Sequence, residues 1–111
     1  MRCLLIDDMR DWGQGLIPLP EEGDEFVKAQ TYDEGHHELV TGSPWDVLYM
    51  DHDLGDPDEA KTGYKLLSWL EAECQDPIKK QFFLPKKIVL VTSNPVGRRQ
   101  MEVIIERLYQ E

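Results

Sequence analysis

Two aspartates, Asp7 and Asp8, stand side by side behind the apolar run CLLI at residues 3–6, and Arg10 follows two residues later. Like charges at the end of a buried segment cost free energy unless a cation sits between them or one carboxyl keeps its proton. The pattern recurs in MDHDLGD (50–56), where an apolar run ends in Asp51, His52, Asp53 and Asp56. A third run ends in VTSNPVGRR (91–99), which supplies Thr92, Ser93 and Asn94 and then Arg98 and Arg99. Carboxylates from the first two runs are hard oxygen ligands. Asp7 or Asp8 together with Asp51 would hold Mg²⁺ (or Mn²⁺), a type of ion that takes one or two carboxylates, keeps waters and binds substrate phosphate. The ion would neutralise the pair and polarise a phosphoryl oxygen. The third run offers a phosphate its hydroxyls, an amide and the free N–H groups of a helix start.

Each residue has a plainer role to set beside the chemical one. Acidic residues fill 22 of 111 positions, so adjacent pairs also arise by chance. Aspartate behind a strand is an ordinary turn former, which is the competing role of Asp53 before Gly55, while Asp56, Asp58 and Glu59 read as a solvated loop. His52, flanked by carboxylates, could serve as a general acid. It could equally make a structural hydrogen bond, since neighbouring strand residues point to opposite faces. Arg10 could reach a phosphate or pair with Asp7, Asp8 or Asp11. His36 and His37 are adjacent on a helix, about 100° apart, too far round to share one ion. The three tryptophans read as packing.

The elements that would bring these runs together alternate. RCLLI (2–6), FVKAQ (26–30), WDVLYMD (45–51) and KKIVLVTS (86–93) read as strands. Residues 7–25 hold three glycines and two prolines and read as a long loop. A capping box, Thr31 with Glu34, opens a helix over 31–42. TGYKLLSWLEAEC (62–74) is amphipathic, and Asn94 with Pro95 opens a helix to about 110 that carries Met101, Ile104, Ile105 and Leu108 inward. Short apolar strands alternating with helices predict a parallel α/β sheet. In such sheets the carboxyl ends of the strands share one edge, where ligands bind. All three chemical runs would lie there.

The bulk properties fit one globular domain spanning residues 1–111. A formal charge of −10 argues against nucleic acid or an anionic membrane as the main partner. Cys3 and Cys74 form no CxxC pair, and no stretch reads as a signal or membrane span, so a soluble cytoplasmic protein is expected.

Taken together, IDDMR, MDHDLG, TGYKLLSWL and SNPVGRRQM resemble the cyclic-phosphate processing receiver domains, a divergent branch of the response-regulator receivers found in bacteria and phages. The resemblance implies a receiver-like (flavodoxin-like) three-layer sandwich around a short, mainly parallel four-stranded sheet. It implies an acidic metal pocket, with Asp7 and Asp8 as the acidic pair and Arg10 as the arginine of the first motif. Asp51 falls at the phosphoacceptor position, His52 and Asp53 complete the catalytic triplet, and Asn94, Pro95 and Gly97 match the last motif. The ligand it implies is a small phosphorylated molecule, a cyclic phosphate. Members usually carry a histidine and a serine where this chain has Val91 and Thr92. A fifth strand with its phosphate-binding lysine has no counterpart, so Arg10 or Arg98 would supply that charge. The expected function is metal-dependent hydrolysis of a cyclic phosphate, with a non-catalytic module that binds such a ligand or a protein partner as the alternative.

Overall fold

The computed structural model of the protein describes residues 1–15 and 17–110. Its elements are β1 (Arg2–Ile6), β2 (Glu25–Ala29), α1 (Tyr32–Gly42), β3 (Val47–Met50), α2 (Gly63–Glu73), α3 (Pro77–Phe83), β4 (Lys87–Leu90) and α4 (Pro95–Leu108). All four strands are parallel, in the order β2-β1-β3-β4. The chain steps from β1 outward to β2 and then crosses back to β3. The strand order therefore reverses between β1 and β3, which puts the switch point beside the ends that carry Asp7 and Asp51.

Local chemistry explains the helix starts. The Thr31 hydroxyl accepts from the Glu34 amide at 3.1 Å, the Thr62 hydroxyl from the Lys65 amide at 3.3 Å, and Asn94 Oδ1 from the Gly97 amide at 3.0 Å. Only half of the expected capping box is made among the described hydrogen bonds, for Glu34 makes no return bond to the Thr31 amide. Helix α3 has no counterpart among the elements expected from the sequence. Asp76 caps it by accepting from the Ile78 amide at 2.9 Å, with Pro77 in the first turn, but none of its residues is buried. Within α3 only Phe83, half-buried and edge-on to Trp69 at 5.9 Å, packs on the core cluster, so the helix leaves too little periodic signal to read.

The sheet has two unlike faces. On one, Leu4, Ile6, Leu48, Met50 and Leu90 pack with Leu39 of α1, Leu66, Leu67 and Leu70 of α2, and Met101, Ile104 and Leu108 of α4. On the other, Cys3, Leu5, Tyr49 and Val91 are covered by Ile17 and Trp12 from the β1–β2 connection. The Trp12 ring stands edge-on to Phe26 and Tyr49, with centroids 4.7 and 5.8 Å away. The three layers are thus helices, sheet and the described part of the β1–β2 connection. Strand β3 starts two residues later and ends one residue earlier than expected, and β4 ends three residues earlier, although the Asp51 and Val91 amides still bond to the neighbouring strands. Among the described residues, no helix is long and apolar enough to cross a membrane.

Candidate metal centre

Backbone pairing sets the two principal carboxylates. The Asp7 amide donates to the Ala29 carbonyl at 3.1 Å, and the Asp51 amide to the Ile6 carbonyl at 3.0 Å. Each bond continues the parallel ladder one residue past its strand, so both side chains stand at the carboxyl edge of adjacent strands. Asp7 is fully buried and Asp51 is 5% exposed. Asp7 Oδ1 accepts from the amides of Met9 and Arg10, both at 2.9 Å, which folds the start of the loop around it. Asp51 Oδ1 accepts from the His52 amide at 2.8 Å. One oxygen each of Asp7, Asp8 and Asp51 lies within 4.8 Å of the other two.

Two glycines make this approach possible. Gly55 has φ +65°, and a Cβ there would stand 2.7 Å from Asp8 Oδ2. Gly63, the first residue of α2, donates its amide to the His52 carbonyl at 2.8 Å. A Cβ on Gly63 would overlap the Asp51 carbonyl oxygen. The N-terminus of α2 thereby seats the backbone of the Asp51–His52 turn.

The charge balance is unfavourable for the protein alone. Arg10 Nη1 lies 3.3 Å from Asp7 and 3.6 Å from Asp51, one cation between two buried anions. Burial pushes the Asp51 carboxyl up to about 6, and the Asp7 charge adds to the rise. The His52 amide, the Thr92 hydroxyl and Arg10 pull the other way without cancelling it.

A cleft of ≈ 390 Å³ opens over the cluster, lined by Asp8, Met9, Arg10, Asp51, Asp53, Gly55 and Ser93. That is room for a small ligand. Asp7, fully buried, does not line the cleft itself, but one of its oxygens lies within 4.8 Å of oxygens of Asp8 and Asp51, which do. Thr92 is buried beside Asp51, and its hydroxyl accepts from the Asn94 amide at 3.1 Å. Asn94 spends its oxygen on the Gly97 amide and turns Nδ2 toward Asp53 Oδ2 at 3.4 Å. His52 does not line the cleft. Its ring lies over Gly97, where a Cβ would come within 2.5 Å of the imidazole, and its Nδ1 lies 3.0 Å from Asp53 Oδ1. Gly97 serves this close packing. Arg98 also turns away: it donates to the Leu90 carbonyl at 3.3 Å, pairs with Glu102 at 3.2 Å and lines a separate groove between β4 and α4. Arg10 is thus the cation of the cleft. His36 packs against Trp69, with ring centroids 4.5 Å apart.

Three converging carboxylates, two of them buried and with one arginine between them, fit a hard divalent cation better than they fit one another. Because a proton on Asp51 competes with such an ion, Mg²⁺ affinity should fall by about tenfold per pH unit below about 6 and level off above 7. Calorimetric titrations at pH 5, 6 and 8 would check this.

Among models of known protein families, one described as cyclic-phosphate processing receiver domain matches residues 2–107. No curated protein and no solved structure matches the chain.

Proposed function

Because the chain belongs to the cyclic-phosphate processing receiver domain family, we propose that it opens a cyclic phosphate to a phosphomonoester with the help of a divalent cation. The observation that carries this reading is the trio Asp7, Asp8 and Asp51, whose oxygens converge within 4.8 Å of one another beside a cleft that Asp8 and Asp51 line. A cation held by these three would supply Lewis acidity toward a phosphoryl oxygen. Arg10 would add a second positive charge, and Ser93, which also lines the cleft, would offer its hydroxyl to the phosphate. Asp53 has one oxygen on His52 Nδ1 and the other toward Asn94 Nδ2, at 3.0 and 3.4 Å. In this reading, Asp53 so held would take a proton from an attacking water. The water oxygen would form the new P–O bond as the ring P–O bond breaks, and the proton taken by Asp53 would pass, directly or through solvent, to the leaving oxygen. In this scheme His52 and Asn94 position Asp53 and do not touch the substrate.

A binding module without turnover is the second reading, and Val91 favours it. That residue is buried in the apolar cluster of Cys3, Leu5 and Tyr49 and carries no proton.

Phosphorus NMR separates the two. The protein would be incubated with 2′,3′-cyclic nucleotides, 3′,5′-cyclic nucleotides and ADP-ribose 1″,2″-cyclic phosphate, in Mg²⁺ and in Mn²⁺. We expect one cyclic resonance to be replaced by a monoester with wild type, and none with Asp51→Asn or in EDTA. Survival of every cyclic signal alongside selective broadening of one would replace hydrolysis with binding.

A further inference from the structure

Met9 is 84% exposed, the most exposed large apolar side chain among the described residues, and the one large apolar residue lining the acidic cleft. Its backbone is not loose. The Met9 amide donates to Asp7 Oδ1 at 2.9 Å, and the Arg10 amide donates to the same atom at the same distance. One fully buried carboxylate therefore fixes both the cationic anchor of the cleft and the apolar residue beside it. A long apolar side chain held in water at a fixed point forgoes burial that a ligand can restore. Methionine suits this, since its unbranched, polarizable thioether adapts to flat surfaces and packs well on aromatic rings. Of the other lining residues, Asp8, Asp51, Asp53, Gly55 and Ser93 offer no apolar surface for a ring to pack on, and the Arg10 guanidinium is engaged by Asp7 and Asp51.

We infer that Met9 is a specificity residue, and that the cyclic phosphate taken by this cleft is joined to an aromatic ring of nucleobase type that packs on the Met9 side chain. The inference rests on the reading that the cleft binds a cyclic phosphate, and does not require that the phosphate be opened. A nucleoside 2′,3′-cyclic phosphate has the required parts: an anion for Arg10 and the cation, and a ring one short sugar away. A cyclic phosphate on a bare polyol lacks the ring and gains nothing from Met9.

The test uses methionine methyl NMR on the full chain in Mg²⁺, with adenosine 2′,3′-cyclic phosphate and glycerol 1,2-cyclic phosphate as probes. The chain has four methionines; Met50 and Met101 are buried, and Met1 lies at the opposite edge of the sheet. The Met9 methyl, assigned by its loss in Met9→Leu, should shift upfield with the adenosine ligand alone. Met9→Ser should weaken that ligand about fivefold to tenfold, the worth of one sulfur–aromatic contact, and leave the glycerol ligand unchanged. A Met9 methyl unmoved by excess adenosine ligand would overturn the inference, as would equal weakening of both ligands by Met9→Ser. A shift without conversion of the phosphate upholds it while removing hydrolysis. Conversion without a shift does the reverse.

Discussion

Replacing Asp51 with asparagine should make the protein more stable in EDTA at pH 7.5 and at the same time abolish its stabilisation by Mg²⁺. Burial and the Asp7 charge hold the Asp51 carboxyl at about 6, against 3.8 when it is free of the fold. A carboxyl with a raised pKa favours the folded state when protonated. Its ionisation therefore removes stability as pH rises from about 4 through about 6, and the full deficit is present above that. A rise of this size corresponds to about 3 kcal/mol. Asparagine keeps the oxygen that accepts from the His52 amide and carries no charge, so about 2–3 kcal/mol should return, or about 10 °C in Tm for a domain of this size. Wild type should instead gain stability as Mg²⁺ is added, because a ligand of the folded state alone stabilises by mass action. Thermal melts of both proteins at pH 5 and 7.5, with EDTA or Mg²⁺, check each arm. At pH 5 the advantage of the variant should shrink.

Gly63→Ala should cost at least about 3 kcal/mol, although the same change on an open helix surface stabilises by about 1 kcal/mol. The new methyl would overlap the Asp51 carbonyl oxygen, which is backbone and cannot rotate aside. Helix α2 would have to withdraw, breaking the 2.8 Å bond from the Gly63 amide to the His52 carbonyl. That places the variant at or above the upper end of ordinary single-substitution losses, with overpacking against backbone as the mechanism. The turn that carries Asp51 should shift with the helix, so cation binding should fall as well. Urea unfolding measures the first effect and Mg²⁺ calorimetry the second. A neutral or stabilising result would mean that α2 does not seat the turn.

Much of this was legible in the sequence because the features were local and periodic. The apolar runs of β1, β3 and β4 and the caps Thr31 and Asn94 announce their elements residue by residue, whereas the Thr62 cap of α2 emerges only in the structure. The carboxylates Asp7, Asp8 and Asp51 follow from those strands, since parallel strands end on one edge. What escaped depends on contacts between distant segments. Gly63 reads as an ordinary helix residue until α2 is laid against the Asp51 carbonyl. His52 and Arg98 carry the right chemistry in the right motifs, yet His52 packs over Gly97 and Arg98 turns back to the Leu90 carbonyl. Side-chain direction at a strand end is decided by the neighbouring helix, which spacing along the chain does not encode. The layer opposite the helices was harder still, because it is built by Trp12 and Ile17 from a segment with no periodicity.

The central claim is that a cation held by Asp7, Asp8 and Asp51 meets the phosphate of the ligand in one cleft. Paramagnetic relaxation tests it most directly. With Mn²⁺ and a cyclic phosphate such as adenosine 2′,3′-cyclic phosphate in solution, wild-type protein should increase phosphorus relaxation well beyond that of free Mn²⁺. Asp8→Asn, which alters a half-buried ligand and leaves the buried pair in place, should remove most of the increase. Equal relaxation with and without protein, or an increase untouched by Asp8→Asn, would contradict the claim.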